Sequence, residues 1–274
     1  MSCAVSELNS TFMMSRNCAT VLEIPIISNC KDKVHHSLCL ELHKLIDRIS
    51  LVILDIESAR PNCKLAMEAL CSLNLTLAKA KSLIRDCSKC SKLYLAITSR
   101  RILSKCQKLR NAFELYLTEI QGAVTIPLAD KISAILHDLR SAKFSLEFAE
   151  EEARKVLLSL FEKNFPDKAS MEKEELEAIQ IATSRLEIKS AFSLLVEKAT
   201  IKNQLDEVNE TNPKEKELLE YLLYLLIKYR KSICQFEDGD HSPKHDFHDQ
   251  SFEHELVVEE ALCENQVNDE VRDL

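Results

Sequence analysis

A chain of 274 residues with 46% hydrophobic and 29% charged residues is long enough to bury a substantial core, in one large domain or two modest ones. Only 2 Gly and 6 Pro leave little of what tight turns, bulges and phosphate-cradling loops require, which excludes Rossmann, P-loop and small all-β folds and predicts long helices. The net charge of −8 is a property of the C-terminus: residues 237–274 hold 13 Asp/Glu against 2 Lys/Arg, leaving the first 236 at +3, with no basic excess of the kind nucleic-acid binding needs.

The 11 Cys are scattered and odd in number, a pattern of reduced thiols. Met1 to Arg16 lacks a charged start followed by an apolar run, and the longest apolar stretch, Leu218 to Ile227, is interrupted by Glu220. Neither a secretory leader nor a transmembrane helix is expected. A cytoplasmic location follows, with the nucleus or a membrane surface as alternatives.

Residues 1–33 read as a loose arm carrying one isolated apolar run, Val21 to Ile27. From His35 the apolar residues fall into helical register at Leu38, Leu42, Leu45, Ile49, Val52, Ile56 and Ala59. Pro61 ends this helix and starts the next, whose stripe is Ala66, Leu70, Leu73, Leu77, Ala80, Ile84 and Cys87. A third helix carries Leu95, Ile102, Cys106, Leu109, Phe113, Tyr116 and Ile120 and stops at Gly122, a plausible C-cap. The fourth, the longest, runs unbroken from Leu128 through Leu146, Ala149 and Val156 to Leu160. These narrow seams predict an all-α fold with an antiparallel four-helix bundle over 34–165.

A smaller helical extension is expected over 166–236. Ser170 is the expected N-cap of its first helix, which runs to about Leu186, and a second spans Ser190 to Val208. Asn212-Pro213-Lys214-Glu215 then opens a last helix to about Phe236. Leu218, Leu222, Leu225 and Tyr229 line one of its faces and Leu219, Leu223 and Leu226 another, so it is either sandwiched in the body or awaiting a partner. Residues 237–274 read as an acidic disordered tail.

Candidate chemistry is sparse. Cys87-Ser88-Lys89-Cys90 has the spacing of a redox dithiol or half a zinc site, yet it stands alone at a helix end, with Cys87 on the core stripe. His35, Cys39 and His43, with His36, lack a further ligand and read as a partly exposed helix face. His241, His245, His248 and His254 belong to the tail. Glu150-Glu151-Glu152 point in successive directions and read as a solvated face. No metal, cofactor or catalytic group is expected, and no G-x-S-x-G, H-E-x-x-H, Walker or kinase motif occurs.

Several linked segments go further. Ile56 to Pro61, Ala69 to Asn74, Ala78 to Lys81 and Cys90-Ser91-Lys92-Leu93-Tyr94-Leu95-Ala96-Ile97-Thr98 resemble, in order and spacing, the N-terminal region of plant U-box ubiquitin ligases. The likeness continues through Ile132 to Lys143, Glu150 to Ala153, Glu175 to Ile179 and Tyr221 to Tyr229, covering roughly 34–235. It implies a helical partner-recognition module preceding a U-box, the domain that recruits the ubiquitin-charged conjugating enzyme. The U-box's own Cys-Pro-Ile, Asp-Pro-Val and Gly-x-Thr-Tyr do not occur here, and the chain departs from the family at Arg100-Arg101 and Cys106.

The expected role is therefore noncatalytic recognition of a regulator, kinase or ubiquitylation substrate, with a conjugating enzyme as partner only if a longer product carries a U-box. A fragment of a full-length ligase and a membrane-associating bundle, using the apolar last helix, are the alternatives. Lys89, Lys92, Arg100, Arg101, Lys105 and Lys108, with Arg110, make the first half of the third helix basic and are the candidate partner-binding residues. Such a face suits an acidic protein surface, an anionic headgroup or the chain's own tail, against the plainer reading of a solvated face.

Overall fold

The computed structural model describes residues 34–59, 63–163, 166–208 and 212–234. The expected N-terminal arm and acidic tail lie outside the described residues. Among the described residues there are nine helices and no strand: α1 His36–Ala59, α2 Lys64–Lys89, α3 Lys92–Gln121, α4 Ile126–Ser141, α5 Phe148–Glu162, α6 Lys168–Arg185, α7 Ala191–Glu207, α8 Pro213–Lys228 and α9 Arg230–Cys234.

The first two stripes bury as their spacing requires. Leu42, Leu45, Ile49, Val52 and Ile56 of α1 and Leu70, Leu73, Leu77, Ala80 and Ile84 of α2 belong to one continuous core, and Leu38 and Ala66 are buried as well. Each fully buried Leu or Ile contributes about 1.5–3 kcal/mol, so the seams determine which helices pair. α1 packs on α2 and α4, and α3 packs on both of these in turn, closing a ring of four. α5 leaves the ring to join α3 to α6, while α7 and α8 pair with each other. The last long helix is sandwiched: Leu219, Leu222, Leu225 and Leu226 are all buried, and Leu218 and Leu223 pack against the same core.

Several local expectations are corrected. The fourth helix is two, with Ala142 ending α4 and Glu147 opening α5 through a capping box with Glu150. No Pro or Gly lies between them. The longest helix is instead α3, of 30 residues. Ala153 and Leu160 are buried as expected, but the break lets Glu150 and Leu157 turn inward where Ala149 and Val156 were expected. α2 begins at Lys64, with Cys63 as its extended N-cap, and Pro61 lies outside the described residues. Asp167, not Ser170, is the N-cap of α6, its carboxylate accepting the Ser170 N–H at 2.7 Å. Gly122 is the C-cap of α3 as expected, but it caps at a right-handed φ of −71°, with nothing near the place a Cβ would take. Tyr229 ends α8, and the chain turns there into the short α9.

Buried carboxylates fix the joints between helices. Glu150, only 5% exposed, is no part of a solvated face. Its Oε1 accepts the His35 backbone N–H at 2.5 Å, and its Oε2 lies 3.1 Å from His35 Nδ1. His35 Nε2 in turn lies 3.0 Å from the Leu95 carbonyl of α3. Two acceptors facing both ring nitrogens select the imidazolium. His35 is therefore not on an exposed helix face: it is wholly buried at a left-handed φ of 63°, a strained backbone that Glu150 holds from α5. Burial opposes both charges, but the mutual bond and attraction outweigh it, raising the His35 pKa and lowering that of Glu150.

At the start of α3, the Ser91 side chain accepts the Tyr94 N–H, and Glu197 of α7 supplies the outer cap. Glu197 is 4% exposed and accepts from Ser91 Oγ at 2.6 Å, Leu93 N at 2.9 Å and Lys92 N at 3.1 Å. Gln204 Oε1 takes the remaining Ser91 N–H at 2.7 Å. A carboxylate there satisfies donors the helix cannot satisfy itself and meets the positive end of its dipole. Glu175 of α6 does related work at 1% exposure, gathering Tyr221 Oη at 3.0 Å, Tyr229 Oη at 2.7 Å and Lys228 Nζ at 3.0 Å from α8 and its end.

Two outcomes are expected. Glu150→Gln strands the His35 charge and should cost about 3–5 kcal/mol in urea unfolding at neutral pH. Because the His35 pKa is raised, its contribution is complete below an unfolded value of about 6.5 and is lost as pH climbs through the folded value. A parent stability that does not fall as pH rises above about 6.5, with the same profile in His35→Gln, would contradict the charged pair. Glu197→Ala leaves three donors without their carboxylate and should cost about 2–4 kcal/mol, with hydrogen-exchange protection lost first at Leu93 and Tyr94.

Candidate functional site

The sequence-predicted basic residues divide by what they touch. Lys92 is half-buried, its ammonium donating to the Leu186 carbonyl at 3.0 Å while its backbone N–H serves Glu197. Arg100 is exposed but paired with Glu151 of α5 at 2.8 Å. Arg110 bonds the Asn111 side chain and the Ala142 carbonyl. These three hold helices together. Lys89, Arg101, Lys105 and Lys108 are exposed, and none forms an ion pair with another described residue.

Arg101, Lys105 and Lys108 follow one another at four and three residues and so share one face of α3. That face starts beside Tyr94, whose hydroxyl bonds Glu215 at the start of α8. Burial and then this bond raise the Tyr94 pKa, and the Arg101 charge pulls the other way. Lys89 ends α2 just across the two-residue connection. The structure thus brings together Arg101, Lys105 and Lys108, sets Lys89 near the turn, and assigns Lys92, Arg100 and Arg110 to packing. Lys79, exposed on α2, was not among the sequence candidates, and Lys89, assigned to the third helix, ends α2.

Other candidate groups are structural. Cys87 is buried, and its thiol is pushed far up by a hydrogen bond with Cys39 and then by burial. Burial, followed by neighbouring charge, pushes Cys90 up to about 11, and burial takes Cys106 to about 12. Neutral thiols of this kind make poor nucleophiles and poor metal ligands. His43 pairs with Asp47 on its own helix at 3.5 Å. No group of three or more His, Cys, Asp and Glu among the described residues is arranged to hold a metal ion. The tail histidines lie outside the described residues. No described helix is long and apolar enough to cross a membrane, and the leucines of α8 are already buried.

Three segments singled out by their resemblance coincide with the buried joints. Cys90 to Thr98 holds the capped start of α3, Glu150 the His35 pair, and Glu175 the Tyr221–Tyr229 cluster. The signal that could have revealed Glu197 and Glu150 is weak in one sequence, since each is one acid among many on a helix.

No family model matches the chain, and no solved structure matches it significantly. Curated relatives do. The chain is 38% identical to U-box domain-containing protein 5 of Arabidopsis thaliana over 170 residues, 62% of this chain and 23% of that protein. It is 33% identical to U-box domain-containing protein 6 of the same plant over 224 residues, 81% of this chain and 29% of the relative. U-box domain-containing protein 7 of Arabidopsis thaliana follows at 31% over 226 residues, 82% and 29%. The chain spans less than a third of the length of these relatives. With aligned identity running through most of its helical body, the chain is a homologue of the plant U-box domain-containing proteins.

Proposed function

We propose that this chain is a noncatalytic recognition region of a plant U-box ubiquitin ligase, holding a regulator, kinase or ubiquitylation substrate through the exposed basic face of α3. Homology to proteins named for their U-box supports the association with ubiquitin ligases. The observation that supports the recognition role is the run Arg101, Lys105 and Lys108, three exposed cations on one face of α3 without an ionic partner among the described residues, with Lys89 nearby. Leaving several like charges unneutralised on one helix face is unfavourable by itself and becomes favourable against an acidic surface. Lys92 and Arg100 position this helix and do not contact the partner.

The membrane reading loses its apolar element, because the α8 leucines it relied on are buried. Ubiquitin transfer, on this reading, belongs to a U-box acting with the region and not to the region.

Purified chain incubated with activating enzyme, a panel of conjugating enzymes, ubiquitin and ATP should form no conjugates beyond the control. In parallel, crosslinking in plant extract should join α3 to a protein that Lys105→Glu/Lys108→Glu releases. Conjugate formation by the purified chain would overturn the noncatalytic assignment.

A further inference from the structure

We infer that the outer face of the α2–α3 hairpin docks an acidic amphipathic helix of a protein partner. The inference rests on the recognition role proposed above and adds the chemistry of what is recognised.

From Lys79 to Arg110 the chain carries ten Lys and Arg and a single acid, Asp86. After Lys92, Arg100 and Arg110 are set aside, Lys79, Lys89, Arg101, Lys105 and Lys108 are exposed and without an ionic partner among the described residues, while Lys81 and Arg85 are half-buried. Only Cys90 and Ser91 separate α2 from α3, and the two helices pack along each other. Residues equally far from that connection are therefore level, so Lys79 lies level with the Arg101–Lys105 turn. Arg101, Lys105 and Lys108 share one face of α3, and Lys79 is an exposed cation at the same level of the packed neighbour.

The same face is also apolar further on. Leu75, one turn before Lys79 on α2, is 60% exposed, and Leu115, seven residues beyond Lys108 on α3, is 54% exposed. Helical rise separates Arg101 from Lys105 by about 6 Å and Lys105 from Lys108 by about 4.5 Å. A partner helix with acids spaced four and three presents carboxylates at the same intervals, and an apolar residue one heptad beyond meets Leu115. Asp86 and Glu119, both exposed, bracket the patch and repel acids placed outside it, which favours one register. A bilayer is the poorer match: two separated leucines offer no continuous apolar face to insert.

The probe is a fluorescein-labelled helical peptide of about 20 residues, with Glu at three positions spaced four and three and Leu one heptad beyond, read by anisotropy against the 274-residue chain. At low salt the Glu peptide should bind at least about tenfold tighter than its Gln counterpart, a margin that shrinks as salt rises. Arg101→Glu/Lys105→Glu/Lys108→Glu should abolish that margin, Lys79→Glu should reduce it, and Lys168→Glu on α6 should leave it unchanged. Leu115→Ala, with every charge intact, should weaken binding several-fold. Equal binding of the two peptides, or full binding by the triple variant with an unchanged melting curve, would overturn the inference. So would flotation with phosphatidylserine vesicles that the triple variant loses while the parent ignores the peptide, which would assign the face to a membrane. A partner crosslinked in extract that stays on the triple variant would leave the recognition role standing and remove this face from it. Peptide binding without any crosslinked partner would do the reverse.

Discussion

Glu197 holds the first turn of α3, and α3 is the helix on which the others converge: α2, α4, α5 and α8 all pack against it. The bonds run from the second half of the chain to the first, across more than a hundred residues. They set where α3 begins, and hence which way each of its residues points. Arg100 turns toward Glu151, Lys92 toward Leu186, and Arg101, Lys105 and Lys108 toward solvent. The exposed basic face follows from a buried acid.

Helix existence was legible because it depends on apolar spacing alone. The stripes of α1 and α2, Ala59 apart, are buried as the period requires, and Asn212 stands at the N-cap its residue type announced. The break between α4 and α5 was not legible: Leu146, Ala149 and Val156 keep the period across Ala142 to Glu147, and no Gly or Pro interrupts it. There the competing requirement is tertiary. Glu150 must reach His35, and the capping box it forms with Glu147 starts a new helix to bring it there. A count of apolar residues carries no record of a charged residue that is needed inside.

The basic face shows the same limit from the other side. Sequence reading grouped six cations by proximity along the chain, whereas the fold groups them by what lies opposite. Lys92 and Arg100 meet acceptors supplied by residues 94 and 51 positions away. Charge density along the chain therefore does not distinguish Lys92 and Arg100, which neighbouring elements engage, from Arg101, Lys105 and Lys108, which they do not. Lys79 was overlooked because its place beside the patch depends on α2 folding back along α3.

α7 inverts the usual polarity of a surface helix, with Glu197 inward and Phe192 and Val196 outward at 75% and 48% exposure. Its attachment rests on directional bonds as well as on the buried Leu194 and Ile201. The polar clasp itself removes little apolar surface from water, so its share of the docking carries a small heat-capacity change and depends weakly on temperature. Cooling or warming alters the grip of the aliphatic seams between α1 and α2 while barely touching the clasp on α3. Charge-screening salt has little access to a carboxylate so deeply enclosed. The orientation of the basic face is thereby insulated from the conditions that would modulate whatever docks on it.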